Sequence, residues 1–90
     1  MLDIVSSNRF KKDLKLAIKR GYNISLLDDV VNRLAMQIQL EEKYKDHELS
    51  GDFKGFRECH ITPDWLLIYQ IDGNELILYL TRTGTHSDLF

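Results

Sequence analysis

The sequence predicts an α+β fold in a single domain over residues 1–90: an N-terminal strand, two helices and an antiparallel β-meander, with the helices packed on one sheet face. Two observations predict it. Apolar residues repeat at helical spacing in the first half, whereas the second half holds three strand-length segments rich in aromatic and aliphatic residues. The chain has 90 residues, 43% of them hydrophobic, which is typical of one small folded domain.

The first elements are a short strand at residues 2–5 and a helix. Ser6 and Ser7 can cap this helix, because a serine hydroxyl accepts a hydrogen bond from the first free backbone N–H groups. Gly21 predicts its end. Its apolar positions follow helical spacing: Phe10, Leu14, Ala17 and Ile18.

A second helix is predicted to be the main buried one. Ser25 followed by Asp28 resembles a capping box at its start. A broad apolar stripe follows, which indicates a helix covered on one side by the sheet. The stripe consists of Leu27, Val30, Val31, Leu34, Ala35 and Ile38.

The meander begins after a polar stretch, residues 41–52, that is predicted to be a loop. The three predicted strands are Phe53–Ile61, Trp65–Ile71 and Glu75–Arg82. Thr62-Pro63-Asp64 predicts a tight turn between the first two, and Asp72-Gly73-Asn74 predicts the hairpin between the last two. Arg82 shares strand parity with the apolar Leu76, Leu78 and Leu80, so either the strand ends before it or a bulge redirects it.

Charge is unevenly distributed along the chain. The net charge of −2 counts mildly against a nucleic-acid binder, yet residues 1–40 carry seven basic and four acidic side chains. This basic stretch is interpreted either as an RNA phosphate contact or as an ordinary solvated helix face. Its members are Arg9, Lys11, Lys12, Lys15, Lys19 and Arg20, of which Lys12, Lys15 and Lys19 are the candidate RNA contacts.

The cysteine content predicts a cytoplasmic protein. Cys59 is the only cysteine and cannot form an internal disulfide, which is typical of a reducing compartment. We also expect no membrane association, because no apolar run is long enough to span a bilayer and the first residues lack a signal-peptide pattern.

Three histidines, an arginine and an aspartate supply the groups needed to cleave RNA without a metal or cofactor. Such a reaction needs a base for the 2′-hydroxyl, a cation for the phosphate and an acid for the leaving oxygen. Histidine can act as acid or base near neutral pH. The candidates are His47, His60, Asp64, Arg82 and His86.

Antiparallel geometry predicts that most of these groups meet. The proline turn places His60 beside Asp64, and Arg82 returns to the same end of the sheet. His86 follows a short glycine-containing turn after that strand. His47 lies on the preceding predicted loop, so only flexibility of that loop is expected to let it join.

Each candidate also has a simpler interpretation. His47 fits an ordinary surface histidine, and Trp65 in an apolar strand is more often a core residue than a base-stacking one. Arg82 fits a partner for a nearby carboxylate, and Phe90 fits a frayed terminus.

Two other catalytic arrangements are disfavoured. Cys59 and His60 are adjacent on a strand, so their side chains point to opposite faces and cannot form a nucleophile–base pair. The histidine spacing also matches no compact zinc-binding pattern, and no metal site is expected.

Several segments, taken together and in order, resemble the YafQ-type branch of the RelE/ParE toxin superfamily. The likeness covers roughly residues 44–90, with a weaker match at Phe10–Lys15. The segments are Tyr44-Lys45-Asp46-His47, Phe53-Lys54-Gly55-Phe56-Arg57-Glu58-Cys59-His60, Pro63-Asp64-Trp65-Leu66-Leu67-Ile68-Tyr69 and Arg82-Thr83-Gly84-Thr85-His86-Ser87-Asp88-Leu89-Phe90.

The resemblance implies a RelE-like RNase fold and a type II toxin that cleaves mRNA in the A site of the 70S ribosome. It further implies a cognate DinJ- or RelB-like antitoxin, which would mediate any contact with operator DNA. Such toxins are usually basic, whereas this chain is slightly acidic.

By position, the resemblance gives residue roles. His47, His60, Asp64 and His86 match acid–base residues, and Arg82 matches a phosphate-contacting arginine; the aromatic contacts to RNA correspond to Trp65 and Phe90. In the resulting hypothesis His47 and His60 together deprotonate the 2′-hydroxyl and His86 protonates the leaving 5′-oxygen, while Asp64 orients an imidazole.

Three alternatives remain open. The chain could be a non-catalytic partner of an antitoxin in a repressor complex, or a gyrase poison like other branches of the superfamily. Gyrase poisons of this fold do not depend on such a histidine set, so its presence favours RNA cleavage. Metal-dependent hydrolysis is the third alternative.

Overall fold

The computed structural model describes all residues 1–90. The elements, in chain order, are β1 (Asp3–Ser6), α1 (Asn8–Lys19), α2 (Ile24–Ala35), β2 (His47–Glu48), β3 (Arg57–Thr62), β4 (Trp65–Asp72), β5 (Ile77–Gly84) and α3 (His86–Leu89). The five strands form one sheet in the order β1-β5-β4-β3-β2. All neighbours are antiparallel except β1 and β5, which pair in parallel. The predicted α+β class, strand–helix–helix order and meander are confirmed.

The sheet has two very different faces. One face packs against α1 and α2 in a cluster of 17 buried residues, so the prediction that both helices cover one face is confirmed. On the other face only Leu66, Ile68 and Leu89 form a buried cluster, with Phe53 and Phe56 packed against it. This second face carries the polar groups described below, because alternate residues of β3 point to opposite sides.

Both main helices begin at side-chain caps. The Ser7 hydroxyl accepts the Phe10 N–H at 2.9 Å, as predicted. The capping prediction for α2 is wrong, because Asn23 rather than Ser25 occupies the N-cap and its side chain accepts the Ser25 N–H at 3.1 Å. Gly21 follows α1 with a φ of +81°, a left-handed conformation that glycine adopts without strain.

The predicted apolar stripes extend too far at their C-terminal ends. Ile18 is exposed on α1, so the stripe of that helix is narrower than its spacing suggests. Ile38 lies beyond the end of α2 at Ala35 and is also exposed. None of the helices has the length and apolar character that crossing a membrane requires.

The segment before β3 has more structure than the predicted loop. Short 3₁₀ turns occupy Glu42–Tyr44 and Gly51–Phe53, and β2 lies between them. The strand predicted from Phe53 therefore begins only at Arg57. Segments of two or three residues are too short to show a hydrophobic period, which is why the sequence does not predict them.

A bulge in β5 resolves the parity conflict at Arg82. Tyr69 pairs with Leu80 and Ile68 pairs with Arg82, so Thr81 is one extra residue in the strand. The extra residue shifts Arg82 off the core parity of Leu80. Of the two alternatives that the sequence leaves open, the structure shows the bulge.

Candidate active site

Three of the predicted residues line one cavity. His60, Asp64 and His86 border an open space of about 600 Å³ at the end of the sheet where β3 turns into β4. The other lining residues are Tyr22, Glu58, Pro63, Leu66, Thr85 and Ser87. The predicted convergence of these two histidines with Asp64 is therefore present in the structure.

His60 presents one free ring nitrogen. Its Nδ1 lies 3.2 Å from the Pro63 carbonyl oxygen. A carbonyl oxygen can only accept, so Nδ1 carries the proton and Nε2 remains the unprotonated nitrogen of a neutral ring. Nε2 makes no hydrogen bond within the protein. The tight turn thus prepares His60 to receive a proton.

His47 is fixed by strand pairing rather than by loop flexibility. It lies in β2 opposite Glu58 of β3. Its Nε2 is 3.1 Å from Glu58 Oε2, and its Nδ1 is 2.6 Å from the Lys45 carbonyl oxygen. Both ring nitrogens therefore face acceptors, an arrangement that fits the doubly protonated imidazolium. The expectation that a flexible loop brings His47 to the site is wrong. His47 does not line the cavity itself; it contacts Glu58, which does.

Glu58 is a site residue that the sequence analysis missed. It is only 7% exposed and lines the cavity beside His60. Its Oε2 contacts His47, whereas its Oε1 is buried without any hydrogen-bond partner. A buried, unpartnered carboxylate oxygen is costly unless a ligand or water donates to it. Its strand parity with His60 was the available signal, because residues two apart on a strand share a face.

Asp64 lies at the cavity rim and is exposed. It forms no hydrogen bond to an imidazole, so its expected role of orienting a histidine is not supported by the geometry. The carboxylate that contacts an imidazole is that of Glu58. No group of three or more histidine, cysteine or acidic side chains is arranged to hold a metal ion.

The last residues form a short helical turn. Thr85 caps α3 by accepting the Asp88 N–H, and Asp88 accepts the Thr85 N–H in return. Arg20 donates to Asp88 at 2.7 Å; this bond and the Thr85 N–H lower the pKa of the Asp88 carboxyl. Leu89 is buried beneath the turn, which holds His86 at the cavity.

Phe90 remains available at the end of α3. Its ring is 52% exposed and stacks on His86 with centroids 5.0 Å apart. Its other ring contact is an edge-to-face one with Phe53 at 5.4 Å. An exposed aromatic ring beside an imidazole suits contact with a nucleotide base.

Arg82 does not line the cavity, and its predicted convergence with the histidines is wrong for this structure. Its side chain reaches α1, where Nε and Nη2 donate to Asp13 at 2.8 and 3.2 Å. The Thr83 N–H donates to the same carboxylate at 3.2 Å. The hydrogen bonds that Arg82 donates to the Asp13 carboxylate raise the pKa of the guanidinium. The simpler interpretation of Arg82, pairing with a carboxylate, applies here.

Trp65 is a core residue, and its expected role in stacking on RNA needs correction. It is only 3% exposed, although it lines a smaller cavity of about 340 Å³ beside Asp64. Its Nε1 donates to the Thr83 hydroxyl at 2.8 Å, and its ring packs on Tyr22. So little of the indole is exposed that a base has almost no ring surface to stack on.

The basic residues of α1 divide into two groups. Arg20 is tied to Asp88, whereas Lys12, Lys15 and Lys19 are exposed on the helix surface and form no salt bridge. None of the three lysines lines the cavity. Their contact with RNA stays a prediction.

Comparison with known proteins agrees with this fold. The family described as "Bacterial toxin of type II toxin-antitoxin system, YafQ" matches residues 2–90. The chain is therefore a bacterial toxin of a type II toxin–antitoxin system. Within that class it belongs to the YafQ family.

Relatives and solved structures match over nearly the whole chain. The mRNA interferase toxin YafQ of Escherichia coli strain K12 is 42% identical, covering 98% of this chain and 95% of the relative. The crystal structure of a metal-bound toxin from Helicobacter pylori matches with 52% identity, full coverage of both chains and a TM-score of 0.94. The crystal structure of the E. coli DinJ–YafQ complex matches with 41% identity, 100% and 99% coverage and a TM-score of 0.90.

Proposed function

We propose that this toxin is an mRNA endoribonuclease that acts on the ribosome and thereby inhibits translation. The observation that supports it most directly is the shared cavity, which presents the free Nε2 of His60 and the exposed imidazole of His86 to the same space. Two histidines at one site can move a proton in and a proton out near neutral pH. The relatives named mRNA interferase add support from the family.

The proposed reaction is attack of a ribose 2′-hydroxyl on the adjacent phosphorus. The 2′-oxygen–phosphorus bond forms, and the bond from phosphorus to the 5′-oxygen breaks, which leaves a cyclic phosphate and a 5′-hydroxyl. The 2′-hydroxyl proton passes to His60 Nε2, and protonated His86 gives its proton to the departing 5′-oxygen. No metal or cofactor takes part in this scheme.

The geometry supports a narrower role for His47 than that of a second base. With both ring nitrogens against acceptors, His47 has no free lone pair for a proton. In the proposal its positive charge, held by Glu58, offsets charge that develops on the phosphate. Glu58 also offers its unpartnered Oε1 to a substrate hydroxyl or amino group.

Arg82 acts in this proposal only when its pair with Asp13 opens. A phosphate competes with Asp13 for the same guanidinium edge, because both bind arginine with two oxygens. Phe90 is assigned to base contact, and Asp64 to a polar contact at the cavity rim. Lys12, Lys15 and Lys19 are assigned to RNA phosphates outside the cavity.

A cognate antitoxin is the second part of the proposal. The E. coli relative forms a DinJ–YafQ complex. We expect this chain to bind a DinJ-like partner with an acidic or amphipathic segment, because α1 presents unpaired lysines. Contact with operator DNA is expected only through that partner.

Induced expression followed by primer extension on translated mRNA tests the cleavage proposal. The parent chain should arrest growth and produce new 5′ ends, and His86→Ala should lose about 10²–10⁴-fold in cleavage. Ser87→Ala is the matched control, since Ser87 lines the same cavity but cannot move a proton at neutral pH. Equal cleavage by His86→Ala and the parent would rule out the proposed acid.

Two further arms separate the alternatives. Because the H. pylori relative is described as metal-bound, cleavage by the purified toxin on ribosomes is repeated in EDTA. Unchanged cleavage supports the metal-independent scheme, and loss that added metal restores supports metal-dependent hydrolysis. Growth arrest by His86→Ala without RNA cleavage would instead indicate a non-nucleolytic toxin such as a gyrase poison.

A further inference from the structure

A buried polar cluster beside His47 takes no part in the proposed chemistry. Tyr69 of β4 is only 1% exposed, and its hydroxyl donates to Asp46 Oδ1 at 2.5 Å. Arg57 Nε donates to the same oxygen at 3.3 Å. Asp46 immediately precedes His47 in the chain, so two strands of the sheet hold the residue next to a site histidine.

The segment that carries His47 depends on such anchors. β2 has only two residues and pairs with β3 through His47 and Glu48 alone. An edge strand this short has little stability of its own. Lys45 adopts a φ of +48°, a left-handed conformation that costs energy for a residue with a side chain and persists only when its surroundings hold it.

The strained residue contacts the imidazole directly. The Lys45 carbonyl oxygen accepts from His47 Nδ1 at 2.6 Å, so the ring is oriented by the backbone that Asp46 anchors. Arg57 adds a second, longer contact to Glu48 at 3.6 Å on the other side of His47. Anchors therefore lie on both sides of the histidine.

The Tyr69 hydroxyl is suited to a permanent donor role. Burial, followed by the hydrogen bond to the Asp46 carboxylate, raises the pKa of Tyr69 well above its ordinary value of 10. The hydroxyl thus stays protonated throughout the neutral range. The ring itself belongs to the helix-side core, so its packing is separable from the bond that its hydroxyl makes.

We propose that Tyr69 is a positioning residue which, through Asp46 and with Arg57, fixes the His47 imidazole against Glu58 and the Lys45 carbonyl. The inference deepens the proposed nuclease function and rests on it for its effect on the reaction rate. Its structural half, the orientation of His47, is independent of whether the protein cleaves RNA.

Tyr69→Phe removes the hydroxyl and leaves the ring. We expect the variant to fold, to bind RNA within about twofold of the parent, and to lose about 10-fold to 100-fold in single-turnover cleavage, as small misplacements of reacting groups do. Nitrogen-15 spectra of the histidine rings should show shifted or broadened His47 signals and unchanged His60 and His86 signals. Tyr44→Phe is the matched control, because Tyr44 is a buried tyrosine of the same segment whose hydroxyl makes no hydrogen bond.

His47 signals in Tyr69→Phe identical to those of the parent would overturn the proposal. Asp46→Asn, which keeps the shape but weakens both bonds, provides the same test if Tyr69→Phe does not fold. A parent chain that fails to cleave RNA while Tyr69→Phe still displaces the His47 signals would reject the nuclease function and retain the positioning role.

Discussion

The helix-covered face of the sheet buries 17 residues in one cluster, whereas the cluster on the opposite face has only three buried residues, one of them Leu89 of α3. The polar groups of the cavity lie on this second face. The same strands serve both faces. In β3, Cys59 and Ile61 point to the helices, while Glu58 and His60 point to the cavity. Core packing and the candidate catalytic groups thus lie on alternate residues of one strand, and a one-residue slip in register would exchange their positions.

The largest expected effect lies on the cavity face. His60→Gln keeps a side chain of similar size but removes the base, so single-turnover cleavage should fall about 10²–10⁴-fold. The melting temperature should stay close to that of the parent, because His60 is partly exposed and adds little to the core. Thr62→Ala is the control, because Thr62 is a partly exposed residue of the same strand that does not line the cavity. Normal cleavage by His60→Gln would contradict the proposal that the cavity face carries the catalytic groups.

Paired leucine truncations test both faces together. Leu67→Ala, on the helix side, should lower the free energy of unfolding by about 2–5 kcal/mol, and the folded fraction should cleave at the parent rate. Leu89→Ala should lower the free energy of unfolding less, because the cluster of Leu89 is small and lies near solvent. It should nevertheless reduce cleavage, because losing this side chain loosens the turn that carries His86. Urea unfolding and single-turnover assays measure both quantities. Equal losses of stability and activity in the two variants would contradict the proposal that one face stabilises the fold and the other supports cleavage.

A smaller effect is expected from Glu58→Gln, which removes a buried charge without changing shape. Cleavage should fall about 10-fold, since His47 loses its counter-charge and its fixed position. The free energy of unfolding should change by less than about 1 kcal/mol, because the glutamine amide oxygen can still accept from His47 and the His47 side chain is 48% exposed to solvent. Glu75→Gln is the control, because Glu75 is an exposed carboxylate that forms no salt bridge and does not line the cavity. A large loss of stability with normal cleavage would make Glu58 a purely structural residue.

The smallest expected effect concerns Asp88. Its folded pKa is depressed, so the stability it contributes is complete above its ordinary pKa near 4 and is lost as the pH falls through the folded value. Asp88→Asn should therefore melt slightly below the parent at pH 7, and the gap should close toward pH 2. Thermal melts across this range test it, with Arg20→Gln expected to behave alike. A gap independent of pH would show that the carboxylate charge is not involved.

The regular parts of the fold follow from periodicity and turn chemistry. The spacing of apolar residues predicts both helices, and Asp72-Gly73-Asn74 predicts the hairpin because its aspartate accepts two backbone N–H groups. β2 and α3 escape prediction because each spans only about one period of its pattern, which is too short for a repeat to show.

The sequence indicates which residues are candidates for the site better than it indicates where their side chains lie. His60, Asp64 and His86 meet because the proline turn and the return of β5 bring strand ends together. The position of Arg82 depends on a single extra residue and on Asp13, which lies 69 residues away in sequence. The local spacing of residue types in the sequence does not reveal partners of this kind. The same holds for the contact between His47 and Glu58.

The thiol of Cys59 in β3 can be used to measure local opening of the sheet. Cys59 lies fully buried between Glu58 and His60, and burial raises its pKa to about 12, so an alkylating reagent finds almost no thiolate while the strand is closed. Each modified molecule must have opened there first. The rate of alkylation therefore reports how often this strand separates from the sheet. Binding of an inhibitor protein or a nucleic acid across the strand should lower that rate.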